Sequence, residues 1–124
     1  MKTGISVQTK LKICGLTKPE QALFCAEMGA DLIGLNCWNG SSRYIIPEII
    51  SEIVSELPES ARTVGVFVNE SPDSINNVMK QTSMDLIQLH GGCNEIYALT
   101  DRVLTPMCGM RLGGRGTQRY NWIR

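Results

Sequence analysis

The chain has 124 residues, long enough for one domain with its own apolar core. Its 12 Lys plus Arg are balanced by 12 Asp plus Glu, so it lacks the global positive field that binding to nucleic acid or an anionic membrane surface would call for. Five cysteines, at positions 14, 25, 37, 93 and 108, form an odd set without a C-x-x-C pair, which argues against a disulfide framework or a zinc site and for a reducing cytosol.

Residues 1–10 carry no apolar run of the signal-peptide kind, and no later run is long enough to span a bilayer. A cytoplasmic protein with no membrane partner is expected. Leu11-Lys12-Ile13-Cys14 reads as a short buried strand ending in a thiol, and Gly15 supplies the turn after it. In alternating β/α proteins the chemistry sits beyond the carboxyl ends of the strands, which is the address of Cys14. A free cysteine also packs well as a small apolar side chain, so both readings stand on these residues alone.

Thr17-Lys18-Pro19-Glu20 has the form of a capping box, in which the Thr17 hydroxyl and the Glu20 carboxylate would satisfy each other's backbone amides. The helix it opens is predicted over about residues 19–28, with Ala22, Leu23 and Ala26 inward and Gly29 as the stop. Residues 31–35 (DLIGL) form a second strand, and its continuous apolar run fits a parallel sheet covered on both faces. Residues 36–45 are a polar loop carrying Arg43, read either as an anion clamp or as a solvated charge.

Pro47 opens a second helix with Ile49, Ile50, Ile53, Val54 and Leu57 on one face, ended by Pro58. Residues 63–68 (TVGVFV) are the clearest strand signal, and Ser71-Pro72 caps a third helix that buries Ile75, Val78 and Met79. Residues 85–89 (DLIQL) form a fourth strand ending at His90, a strand-end histidine that is either part of a site or satisfied by backbone. Four strands alternating with three helices predict right-handed βαβ units. Beyond Gly92 the rhythm fades: residues 94–103 suggest a short helix, Val103-Leu104 a strand remnant, and Gly113 to Gly116 either an anion cradle or a turn. No sequence repeat stands out beyond the β/α period.

Read together, these motifs resemble the phosphoribosylanthranilate isomerase family of tryptophan biosynthesis. The resemblance lies in KICGLT at 12–17, GADLIGLN at 29–36, SSRYI at 41–45, VGVFVNESP at 64–72 and DLIQLHG at 85–91, with a shorter block, GGRGTQRYNW, at 113–122. It implies an α/β fold of the (β/α)8 TIM-barrel family, here one domain over residues 1–124 forming an incomplete barrel of four to five parallel strands. It implies an aldose–ketose isomerase that rearranges N-(5-phosphoribosyl)anthranilate, a phosphorylated sugar–anthranilate, with neither metal nor organic cofactor. Cys14 takes the family's general-base position, and Arg43 the position that holds the anthranilate carboxylate. His90, Gly113 and Gly114 fall on substrate-binding positions.

The family's general acid falls near Val103-Leu104-Thr105, where threonine stands instead, and Asp101 is the nearest carboxylic acid. Asn121 occupies a position where the family more often has aspartate. A complete barrel takes roughly 200 residues or more, so the family's phosphate-binding loops are expected to be missing and the activity to be weak or absent. The alternative is a non-catalytic half-barrel that self-associates as a homo-oligomer through open sheet edges, or a degenerate remnant.

Overall fold

Every strand of the sheet is hydrogen-bonded to its sequence neighbour, in the order β1-β2-β3-β4-β5-β6. The computed structural model describes residues 10–90, 103–106 and 120–122. Its elements are β1 (Lys12–Cys14), α1 (Pro19–Glu27), β2 (Leu32–Asn36), α2 (Pro47–Glu56), β3 (Arg62–Val68), α3 (Pro72–Thr82), β4 (Leu86–His90), β5 (Val103–Pro106) and β6 (Tyr120–Trp122). The pairings from β1 through β5 are parallel, and β6 runs antiparallel to β5. The expected four to five parallel strands are present. The added antiparallel strand at Tyr120 was not legible, because three residues give too little alternation to separate a strand from an aromatic turn.

Helix boundaries follow local chemistry. Proline occupies the first turn of all three helices, where a missing amide costs no intrahelical bond. Ser71 caps α3 as expected, its Oγ accepting from the Ser74 amide at 3.2 Å. The capping box at α1 does not form. Lys18 is the N-cap without a side-chain cap bond, and the Thr17 amide instead donates to the Gln21 carboxamide at 3.5 Å. Gly29 ends α1 at φ +104°, a left-handed conformation suited to glycine.

Side-chain alternation along the strands makes two apolar layers. Ile33, Leu35, Phe67 and Ile87 pack outward against Ala22 and Ala26 of α1, Ile50 and Ile53 of α2, and Ile75 of α3. Leu23, expected inside, is only half-buried. On the opposite face Leu32, Val64 and Leu86 form a cluster of their own; the register joins them in rows with Lys12, Cys14 and Gly34, and Gln88 lies one row further along with Val66 and Asn36. The Lys12 ammonium of β1 donates to the side-chain carbonyl of Gln88 on β4. In a flat sheet three strand spacings would separate their backbones by about 14 Å, and their different register rows add a stagger along the strands, more than the two side chains span together. The sheet is therefore curled, with this second face concave, as in the wall of a barrel. One expectation is corrected here: β1 is not buried. Lys12 and Ile13 are half-exposed and Cys14 exposed, because among the described residues β1 is an edge paired only to β2.

Candidate active site

Parallel strands bring the carboxyl ends of β1 to β4 to one rim, and Cys14 stands there as a free, exposed thiol. Its register partner is Gly34. A Cβ at Gly34 would sit 2.7 Å from the Cys14 Sγ and 2.9 Å from the Lys12 Cε, so the absent side chain clears a slot that both residues fill. Gly15 then turns the chain off the strand at φ +86°, its amide donating to the Gly34 carbonyl at 3.3 Å. A side chain at that φ would be strained.

Lys12 is linked to Cys14 by a side-chain hydrogen bond as well as by charge, while burial pushes its ammonium below the ordinary lysine value. The interaction with Cys14 works against that shift and favours the charged amine. Gln88, only 1 % exposed, fixes the other side of the ammonium from β4.

Arg43 reaches the same place from the loop after β2. Its Cγ lies 3.6 Å from where a Gly15 Cβ would be, so the arginine stem passes over the residue next to Cys14. The loop that presents it is tied at both ends to Asn36. Asn36 Oδ1 accepts from the Trp38 amide at 2.9 Å, and its carbonyl accepts from the Ile45 amide at 3.1 Å. Between them, Ser41 Oγ accepts from the Arg43 amide at 3.1 Å. The Trp38 ring fills the space over Gly40, where a Cβ would collide with it. Arg43 is exposed and so open to a ligand.

Of the residues singled out from sequence, the structure thus brings Cys14 and Arg43 together. His90 ends β4 on the same rim, paired with Val68. Asp101, Gly113 and Gly114 lie outside the described residues, as does the helix expected over 94–103. Lys12 and Gln88 were missed as site residues. Two signals mark them: Lys12 precedes Cys14 by two, hence shares its face, and Gln88 is a polar residue inside an otherwise apolar strand. Cys37, at the loop's start, is a packing thiol whose Sγ lies 3.6 Å from the Leu35 carbonyl, and burial pushes it up to about 12. A groove of about 300 Å³ between Leu57, Arg62 and Asp85 lies at the opposite end of the strands, away from this rim. Among the described residues no His, Cys, Asp and Glu side chains group in a way that could hold a metal ion, and no helix is long and apolar enough to cross a membrane.

Residues 11–107 match the protein family described as N-(5'phosphoribosyl)anthranilate (PRA) isomerase. The N-(5'-phosphoribosyl)anthranilate isomerase of Trichlorobacter lovleyi is 45% identical over 82 residues, covering 66% of this chain and 40% of the relative. The crystal structure of phosphoribosyl anthranilate isomerase from Thermotoga maritima superposes with a TM-score of 0.74 at 41% identity, covering 79% of this chain and 49% of that one. A phosphoribosyl anthranilate isomerase in complex with reduced 1-(o-carboxyphenylamino)-1-deoxyribulose 5-phosphate gives the same TM-score of 0.74 at 41% identity, with 79% of this chain and 52% of that one covered. The chain spans about half the length of these relatives or less.

Proposed function

Because this chain belongs to the N-(5'-phosphoribosyl)anthranilate isomerase family, we propose that it serves the Amadori aldose–ketose isomerisation of N-(5-phosphoribosyl)anthranilate in tryptophan biosynthesis, as a single partial-barrel domain in the cytoplasm. The reading rests on one adjacency, that of the Arg43 stem to Gly15 and so to the Cys14 thiol. The guanidinium pairs with the anthranilate carboxylate, for which its planar fork is suited. That anchor sets the ribose C2′ hydrogen against Cys14. Once the furanose ring has opened with a proton delivered to the ring oxygen, the Cys14 thiolate takes the C2′ proton, and the electron pair released moves toward C1′. Tautomerisation of the resulting enol gives the ketose with no net oxidation. Holding substrate and base in register is itself a large part of the rate enhancement. His90, at the end of β4 on the same rim, is assigned to substrate binding in this reading.

The test follows anthranilate fluorescence as substrate rearranges, in the chain and in Cys14→Ala. Turnover that Cys14→Ala removes supports the assignment; turnover that survives it sinks Cys14 as the base. A second reading is a half-barrel without catalysis that pairs with its own copies, favoured by the exposure of the edge strand β1. Size-exclusion chromatography with light scattering, run beside the turnover assay, separates the two: a monomer that turns over excludes it, and a dimer that leaves the substrate unrearranged supports it.

A further inference from the structure

We propose that Lys12 is the positioning residue that keeps Cys14 in its proton-accepting form, with Gln88 fixing the lysine from across the curled sheet. The inference rests on the isomerase reading for its purpose and on geometry for its content. Lys12 and Cys14 are two residues apart on one strand and share the concave face. Both would collide with a Cβ at Gly34, at 2.9 Å and 2.7 Å, so the two side chains lie together in the slot that glycine leaves open. An amine and a thiol in contact hold one proton between them, as either a neutral pair or an ammonium–thiolate pair.

Burial alone favours the neutral pair. Gln88 opposes it, because its side-chain oxygen accepts from the Lys12 amine and accepting oxygens stabilise the protonated form. The hydrogen bond and charge of Cys14 favour the charged lysine and so oppose the effect of burial on it. Among the described residues few other charges face the pair. Arg43 lies over Gly15, and Arg62 of β3 shares the register row of Lys12 and Leu32. β2 contributes Gly34 and Asn36, and β4 contributes Gln88 with His90 two residues on. The two arginines act in opposite directions: Arg62, in the row of Lys12, disfavours a second positive charge there, whereas Arg43 stands beside Gly15 on the sulfur's side.

The test is alkylation of Cys14 by iodoacetamide from about pH 6 to 10, read peptide by peptide in a mass spectrometer so that the other cysteines do not interfere. Lys12→Met should move the midpoint of the Cys14 profile up by about one unit. The rate at pH 7 should then fall only about threefold, because a more basic thiolate is also a better nucleophile. Lys12→Arg, which keeps the charge, should retain the wild-type midpoint. An unmoved midpoint in Lys12→Met, or an equal shift in both variants, overturns the proposal. Should Lys12→Met lose its cooperative thermal transition by circular dichroism, Lys12→Gln is neutral yet still a donor and carries the same two outcomes. The readout needs no substrate. A shifted midpoint in a chain that never turns over substrate therefore supports Lys12 while overturning the isomerase reading, and an unshifted midpoint in an active chain does the reverse.

Discussion

Asp85 grips Thr63 of the neighbouring strand by three hydrogen bonds. Its Oδ2 accepts from the Thr63 amide at 2.8 Å and hydroxyl at 3.1 Å, and its own amide donates to the Thr63 Oγ1 at 3.1 Å. Asp31 holds the residue before β1 by a simpler version, its Oδ2 accepting from the Leu11 amide at 2.9 Å. Each aspartate starts an Asp-Leu-Ile triplet whose leucine joins the concave cluster and whose isoleucine joins the outer core. Two strands separated by a whole β/α unit thus share one device for locking the strand before them, a repeat too short to stand out in the sequence.

Thr63 is 2 % exposed, so removing its partner costs a buried amide and hydroxyl their carboxylate acceptor at the edge of the groove that Asp85 lines. Asp85→Ala should therefore lower stability by about 1–3 kcal/mol. Asp31→Ala should cost less, because Leu11 is 54 % exposed and its amide can be hydrated. Urea denaturation of the two variants checks the order. Equal losses would mean that the carboxylates act by charge at the strand ends and not through the buried amide.

The elements from β2 to β4 were legible to within a residue or two, because their apolar periods differ and proline or glycine punctuates each boundary. The site was legible in part. Cys14 and Arg43 stand in local motifs, at a strand end and in a polar loop. Lys12 and Gln88 are 76 positions apart, and their meeting depends on the curl of the sheet, which no local pattern encodes. The α1 cap was misread for a related reason. Thr17 and Glu20 have the right spacing, but the helix starts one residue later than a Thr17 cap requires.

Gly34 should tolerate no side chain. Its Cβ would meet the Cys14 Sγ at 2.7 Å, and Gly34→Ala should displace the thiol, slow Cys14 alkylation severalfold and cost about 1–3 kcal/mol through overpacking. Gly65 offers the control. A Cβ there would strike Met84 Cε at 2.7 Å and Phe67 at 2.9 Å in the outer core. Gly65→Ala should lose similar stability while the folded protein keeps its Cys14 reactivity. Loss of reactivity in both variants would show that the thiol responds to stability and not to the slot.

Arg43 is exposed and its side chain contributes little to the fold, so Arg43→Ala should leave the thermal midpoint nearly unchanged. Its effect belongs to binding. Losing a charge-assisted, two-pronged contact of about 1.5–3 kcal/mol should weaken binding of the carboxylated analogue roughly 10- to 150-fold. Arg43→Lys should recover only part, since an ammonium cannot match a carboxylate with two parallel bonds. Isothermal titration with the reduced ribulose phosphate analogue and with its decarboxylated counterpart measures this. An arginine-dependent loss of the same size for both ligands would place the guanidinium on the phosphate instead.

Cys37 gives the chain an alkaline limit. Its thiol is pushed from an ordinary 9.0 up to about 12, chiefly by burial. The unfolded chain therefore ionises this cysteine at lower pH than the folded one does. Below pH 9 both states hold the proton and nothing is lost; between 9 and 12 the unfolded state binds fewer protons, so stability falls as pH rises. The slope from this group approaches about 1.4 kcal/mol per pH unit. Lys12, lowered from its ordinary value chiefly by burial, pushes the other way, which makes a comparison of variants more telling than a single curve. Cys37→Ala should remove the alkaline decline while costing some packing at neutral pH. Thermal midpoints of wild type and Cys37→Ala from about pH 8 to 11 measure it. Parallel curves would place the alkaline loss on another group; curves that converge as pH rises place it on this thiol.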